Sequence, residues 1–350
     1  MSGVQTLTVT PEEAGQRLDR WLRRRFPHLA QGRIEKMCRK GELRVDGGRV
    51  KPATRVAAGQ AVRIPPLPPA DPDARPAAPA RPRLREADAE MIRACVIYRD
   101  DHILALNKPP GLAVQGGSGQ TRHVDGLAEA LRFGAAENPR LVHRLDKDTS
   151  GVLVMARSRD MAARLTAAFR HRETRKIYWA LVAGVPTPYL GEIKAGLVKA
   201  PGHGAGGEGE KMVAVHPRDI ASTPGAKRAH TLYATLYRVA GRAAWVALEP
   251  ITGRTHQLRV HMAEMGHPIV GDGKYGGSGQ ENLGDGWGAQ LGGIISRKLH
   301  LHARRLVIEH PATGRRLTIE APLPAHMRES WDTFGWTEDL ARDDPFADLK

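Results

Sequence analysis

Seven polar residues crowd eight positions of the stretch LVHRLDKDTSGVLVMA, residues 141–156: His143, Arg144, Asp146, Lys147, Asp148, Thr149 and Ser150. Apolar runs flank them, so the pattern reads strand, tight polar loop, strand. Thr149, Ser150 and Gly151 are turn formers that return the chain to the sheet. A carboxylate held there by backbone donors stays ionised and fixed in place, a form suited to nucleophilic attack or proton abstraction. The same Asp146 would equally suit an Asx turn, in which it does no chemistry. The local pattern leaves both readings open.

Other chemistries find less support. In HRLDKDTSG, Leu145 separates Arg144 from Asp146, and neither a phosphate-covering Gly-rich loop nor an Asp-Phe-Gly metal site accompanies it, so a kinase is not indicated. GGSG occurs at 116–119 and 276–279 without Walker or dinucleotide spacing, which suggests turns. His256 and His261 stand five apart, against the four of a zincin helix, and His300 and His302 share a strand face without a third ligand in view. The two cysteines, Cys38 and Cys95, exclude a disulfide scaffold and a Cys-based zinc site. No Gly-x-Ser-x-Gly elbow is present. Neither a metal nor a cofactor is expected.

The elements that must position these residues fall into sections. Residues 1–65 form a basic unit. Leu18, Trp21 and Leu22, then Ile34, Met37 and Cys38, follow helical spacing, with Gly41 as a helix stop. Asp46-Gly47 marks a hairpin turn, and AAGQAVRI a further strand. Residues 66–92, rich in Pro and Ala, are expected to be an extended linker. Residues 93–335 form the large unit, and 336–350 an acidic tail expected to fray. In the large unit ACVIYRDDHILALNKPPGLAV reads as two strands across Asp100-Asp101. RDMAARLTAAFRHRETR is a helix with Met161, Leu165 and Phe169 on one face. KIYWALVAG is a strand carrying Ile177, Trp179 and Leu181 on one side and Tyr178, Ala180 and Val182 on the other. AAWVALEPI is a buried strand, and THQLRVHMAEMG a helix with Thr255 as N-cap and Gly266 as stop. Residues 200–210 read as a loop. Strands and helices mix without regular alternation, so the fold class is α+β with a mainly antiparallel sheet.

The net charge of +15 points to a polyanionic partner. Residues 17–63 carry 14 Lys and Arg against Asp19, Glu35, Glu42 and Asp46. A surplus so concentrated is an electrostatic footprint, whereas an even one would only solubilise. Arg33, Lys36, Arg39 and Lys40 lie on or near one helix face and suit RNA phosphates. No apolar run is long enough to span a bilayer, and the N-terminus lacks the basic and apolar parts of a signal peptide, so a cytosolic location is the default expectation.

Two resemblances extend this reading. RLD, GRIEKMCRKGEL and VDGGRVKP, in that order across residues 15–64, resemble the S4 RNA-binding domain, a small α/β module. HRLDKDTSG resembles the signature of the RluA-type pseudouridine synthase family, RNA enzymes that isomerise uridine. NKPPGLAV (107–114), RKIYWALV (175–182), GRTHQLRVHMAEMGHPIVGD (253–272) and LHA (301–303) match that family's further blocks in order, over residues 95–325. The GLAVQGGSG loop looks most like the branch that modifies large-subunit ribosomal RNA.

The resemblance implies isomerisation of specific uridines without a cofactor. Asp146 is then the carboxylate, acting as nucleophile or proton abstractor. Arg144 fills the space of the flipped-out base. Tyr178 lies under the uracil and can take part in proton transfer, Arg259 pairs with Asp146, and Arg254 touches RNA from the turn that opens its helix. Lys147, Asp148 and His143 are given no catalytic step. The implied partner is large-subunit ribosomal RNA or a pre-ribosomal particle, not a membrane, and the protein is expected to be a monomer. Alternatives are the same chemistry on transfer RNA, or a non-catalytic RNA-binding assembly factor.

Overall fold

Helical spacing of Leu18, Trp21 and Leu22 buries one stripe of α1 (Leu18–Arg25), and Ile34, Met37 and Cys38 do the same for α2 (Gln31–Lys40). Gly41 ends α2 in the left-handed conformation, at φ 71°. The computed structural model describes residues 3–67, 84–116, 122–171, 173–200, 211–276, 295–341 and 343–347. The chain divides into two units, Met1–Arg83 and Leu84–Lys350.

The first unit also has a four-stranded sheet of β1 (Gln5–Thr8), β2 (Arg44–Val45), β3 (Gly48–Arg49) and β4 (Ala61–Ile64), ordered β1-β4-β2-β3, whose Val45, Val62 and Ile64 share a core with the two helices. Asp46 and Gly47 both take positive φ, at 48° and 76°, as a two-residue hairpin turn requires. β1 is an addition to the sequence reading. Its side chains are mostly exposed, so it carries little apolar signal, and antiparallel pairing with β4 holds it.

The second unit begins inside the segment expected to be linker. α3 (Glu86–Ala94) is a helix, not extended chain, and its Ala89 and Ile92 are buried against Leu104, Leu106 and Leu131. Pro and Ala enrichment masked this short amphipathic stretch, which lies beyond the last proline. Among the described residues, eleven strands then form one sheet. These are β5 (Val96–Arg99), β6 (Ile103–Lys108), β7 (Arg140–Leu141), β8 (Ser150–Ala156), β9 (Arg175–Ala183), β10 (Leu190–Lys199), β11 (Met212–Val215), β12 (Lys227–Val239), β13 (Ala243–Pro250), β14 (Leu301–Glu309) and β15 (Arg316–Glu320). The order is β11-β10-β12-β13-β9-β14-β8-β6-β5, with β15 on β14 and β7 on β8. Only the β14–β8 pair is parallel, so the mainly antiparallel α+β expectation holds.

Alternation along β9 builds both faces. Ile177, Trp179 and Leu181 join a core with Trp245, Trp331 and Trp336. Ala180 and Val182, with Tyr178 at the edge, pack under Leu258 and Met262 of α6 (Gln257–Glu264). The described part of the acidic tail is held to the fold rather than frayed: Phe346 is fully buried in the tryptophan core, and Asp344 binds Arg175 at 2.6 and 2.9 Å. Its acidic composition hid one aromatic anchor and one ion pair. Residues 201–210 and most of both GGSG motifs lie outside the described residues. No helix among the described residues is long and apolar enough to cross a membrane.

Candidate active site

The polar loop of 143–149 joins β7 to β8, and four interactions fix its shape. Thr149 N–H donates to the Asp146 carbonyl at 3.2 Å, closing the turn. Val154 N–H donates to His143 Nε2 at 2.8 Å, and the His143 ring lies 4.4 Å from that of Phe169, the residue that follows α5 (Arg159–Ala168). Burial pushes the His143 imidazole down to about 3, so it is a neutral acceptor and a structural part of the loop. Gly151 returns the chain to the sheet at φ 110°, with the Ala303 carbonyl of parallel β14 only 2.3 Å from where a Cβ would stand. Only glycine fits there.

Lys108, at the end of β6, supplies the fourth. Its Nζ donates to the carbonyls of Pro109, Leu112 and Lys147, each at 2.9 Å. Gly111 N–H donates to the same Lys147 carbonyl at 3.0 Å. The NKPPGL turn is thereby tied to the residue next to Asp146. Burial draws the Lys108 ammonium down to about 7, against the opposing pull of Asp148 and Asp146. Sequence reading singled out this turn but not its lysine. A lone Lys at a strand end carries no sign of being buried.

Asp146 then stands in an open cleft of about 860 Å³, with Arg144, Tyr178, Arg254, His256 and Arg259 in the same wall. Its carboxylate is 30% exposed, accessible yet flanked. Arg259 Nη1 lies 3.8 Å and His256 Nε2 3.9 Å from Asp146 Oδ2. The expected Arg259–Asp146 pair is therefore present at ion-pair distance, but Arg259 has a stronger partner. Its Nε and Nη2 donate to the two oxygens of Asp272, both at 2.7 Å. The Asp272 side chain is fully buried and also accepts from the backbone of Lys274 and Tyr275. Burial works against the Arg259 charge, but Asp272 and then Asp146 outweigh it and lift the guanidinium above its usual value.

α6 starts at Gln257, and its N-cap is His256 rather than Thr255. His256 sits at φ 53°, left-handed for a non-glycine residue, and makes no capping hydrogen bond. The turn before it is held instead by Gln257. Its Oε1 accepts from Arg254 N at 3.0 Å and Thr252 Oγ1 at 2.7 Å, and its Nε2 reaches the His230 carbonyl at 2.8 Å. That latch overrides local capping preference and aims the His256 ring at Tyr275, with Nδ1 to Oη 2.7 Å. Burial pushes the His256 imidazole below its usual value, opposed by Asp146. Sequence reading weighed His256 only as a metal ligand; its unusual backbone leaves no trace in composition.

Tyr178 is half-buried on the cleft side of β9. Burial, then the negative charge of Asp146, raises its phenol above the usual range, so it is protonated at neutral pH. Arg144 is exposed, and Arg254 spends its Nε on the Arg228 carbonyl at 3.0 Å while remaining exposed. Arg33, Lys36, Arg39 and Lys40 are all exposed on α2 of the first unit, with Lys40 3.8 Å from Glu42. Among the described residues no cluster of three or more His, Cys, Asp or Glu could hold a metal. The cleft can thus orient an anionic substrate around one accessible carboxylate.

Residues 102–264 match the RNA pseudouridylate synthase family, and residues 16–62 match the S4 domain. The ribosomal large subunit pseudouridine synthase C of Vibrio cholerae is 38% identical over 93% of this chain and 96% of its own length. That of Escherichia coli strain K12 is also 38% identical, over 93% and 95%. Among solved structures, human RNA pseudouridylate synthase domain containing 4 is 32% identical, with a TM-score of 0.56 over 71% of this chain and 95% of that one.

Proposed function

We propose, from the premise that the chain belongs to the RNA pseudouridylate synthase family, that it converts specific uridines of large-subunit ribosomal RNA to pseudouridine with Asp146 as the reacting carboxylate. The observation that carries this reading is the charge pattern of the cleft. Asp146 is the one acidic residue among its described lining, and six Lys and Arg surround it: Arg144, Lys147, Arg170, Lys176, Arg254 and Arg259. The cations suit a polyanion, and the lone carboxylate suits an isomerase. A glycosidase flanks its bond with two carboxylates. Here Asp272, the other carboxylate on Arg259, is spent on holding that guanidinium.

The reaction breaks N1–C1′, turns the uracil and forms C5–C1′, while the C5 proton is lost and N1 regains one. No electron is gained or lost overall. Asp146 either attacks C1′ or removes a ribose proton, and both routes need it ionised. Arg259, held rigid by Asp272, keeps a fixed positive charge beside it. Tyr178 offers a neutral ring for the uracil to lie on and a phenol for proton transfer. Arg144, exposed in the cleft lining, would fill the space left by a flipped base. The residues of α2 supply general phosphate affinity. Relatives that align with 93% of this chain are named for the large ribosomal subunit, which favours that RNA over transfer RNA.

The test maps pseudouridine in ribosomal RNA from cells lacking the chain, then from the same cells given the native chain or Asp146→Ala. Specific large-subunit sites should vanish and return only with the native chain. Persistence of every ribosomal site sinks the substrate reading. Restoration by Asp146→Ala sinks the mechanism.

A further inference from the structure

Neighbouring residues of β9 treat their charges in opposite ways. Arg175 is paired twice, with Glu249 at 2.6 and 2.8 Å and with Asp344 at 2.6 and 2.9 Å. Lys176 has no carboxylate within ion-pair distance and no hydrogen-bond acceptor among the described residues. It is nonetheless half-buried, its Nζ 5.5 Å from the Phe169 ring centroid. Burial lowers its ammonium below the usual value, and no acidic group counters this. The alternation that puts Ile177 into the tryptophan core puts Lys176 on the same face as Tyr178, two residues on, and both line the cleft. Arg170, just beyond α5 and also in the cleft lining, likewise has no side-chain partner among the described residues.

A partly desolvated ammonium without a counter-charge costs free energy in the unliganded fold. Such a group persists where a ligand supplies the missing charge. We propose that Lys176, assisted by Arg170, is a phosphate subsite that holds a backbone phosphodiester flanking the target nucleoside, and so sets how far that nucleoside enters towards Tyr178 and Asp146. This rests on the reading of the cleft as an RNA site. The Phe169 ring lies 5.5 Å from the Lys176 Nζ and 4.4 Å from the His143 ring, and the neutral His143 adds no competing charge. The subsite would recognise the RNA chain, not the base.

The experiment compares native chain, Lys176→Met and Lys176→Arg, using deproteinised large-subunit ribosomal RNA from cells lacking the chain. Met keeps an unbranched side chain of similar length and removes the charge. Without its charge-assisted hydrogen bond to phosphate, Lys176→Met should bind RNA about tenfold or more weakly, and Arg should recover much of the affinity. The plot of log affinity against log salt should become shallower by about 0.7 to 0.9 for Met, the slope of a single phosphate. The melting temperature of free Lys176→Met should not fall, because the unpaired charge is a burden without RNA. An affinity and salt slope equal to those of the native chain overturn the subsite. So does a lowered melting temperature that accounts for weaker binding, since it marks a structural lysine. Conversion of uridine by the native chain is scored in the same reactions. Its absence sinks the functional reading, while the salt slopes still decide the subsite.

Discussion

Arg259 gives two well-aligned donors to Asp272 at 2.7 Å and leaves Asp146 a third nitrogen at 3.8 Å. Asp272 thus spends the guanidinium's strongest hydrogen bonds on holding it still. A freely mobile Arg259 could collapse onto Asp146 and cover the carboxylate that must react. With two nitrogens pinned, it supplies charge without capping the oxygen.

Asp272→Asn tests this division. The change keeps the shape but removes the buried counter-charge of Arg259. Breaking one partner of a buried pair typically costs about 3–5 kcal/mol, so the denaturant midpoint should drop. The single-turnover rate should fall about tenfold or more in the fraction that stays folded, as Arg259 turns to Asp146. A variant that unfolds more easily yet reacts at the native rate would show that the pair serves stability alone.

Tyr178 bears on proton transfer. Burial and Asp146 both raise its phenol, so a phenolate base is not formed at neutral pH. Tyr178→Phe keeps the ring under the uracil, and Tyr178→Leu does not. If the ring is the main contribution, Phe should lose about tenfold and Leu at least tenfold more, since base–aromatic stacking contributes about 1–3 kcal/mol. A native rate that keeps climbing into alkaline pH, with a climb that Tyr178→Phe lacks, would instead mark the phenolate as the base. Comparing kcat of the three chains across neutral and alkaline pH decides between these.

Four histidines, His261, His300 and His302 in the core and half-buried His143 in the polar loop, govern acid stability. His143, His300 and His302 are lowered to about 3, and His261 to about 4, each chiefly by burial. In the unfolded chain they titrate at about 6.5. Between those values the unfolded state binds more protons than the native one, so stability falls as pH falls. Unfolding at pH 5 should take up at least two protons more than at pH 8, read from the slope of unfolding free energy against pH. His302→Asn, which keeps a polar partner for Ser150, should lower that uptake by about one. A flat slope between pH 6 and 4.5 would mean that these rings are protonated in the native chain.

Much of this molecule was legible in the sequence because the signals were periodic. Leu18, Trp21 and Leu22 could be read as a helix stripe, and Ile177, Trp179 and Leu181 as one face of a strand. Asp146, Tyr178 and Arg259 stood in recognisable blocks, and the fold brings all three to one cleft. What escaped depended on contacts between distant residues. Asp272 lies thirteen positions from Arg259, in a turn whose spacing carries no period. Phe346 looked like part of a polar tail, yet it packs against Trp331 and Trp336. Lys108 and Lys176 look alike in the sequence, yet one is consumed by three carbonyls and the other meets no acceptor among the described residues.

His256 shows how backbone strain can mark a working residue. A non-glycine residue in the left-handed region costs about 1–2 kcal/mol, and here it makes no cap that would offset this. What the conformation gains is the position of one ring, between Tyr275 Oη at 2.7 Å and Asp146 Oδ2 at 3.9 Å. His256→Asn keeps a residue that tolerates the left-handed backbone and removes the ring from beside Asp146. If strain is held there for activity, kcat should fall about tenfold or more while the melting temperature moves little. Its dependence on pH should also change on the acid side, because the native imidazole, lowered by burial and opposed by Asp146, can take up a proton there and the amide cannot. Loss of stability in proportion to activity would point the other way, to a ring that only packs the base of α6 against Tyr275.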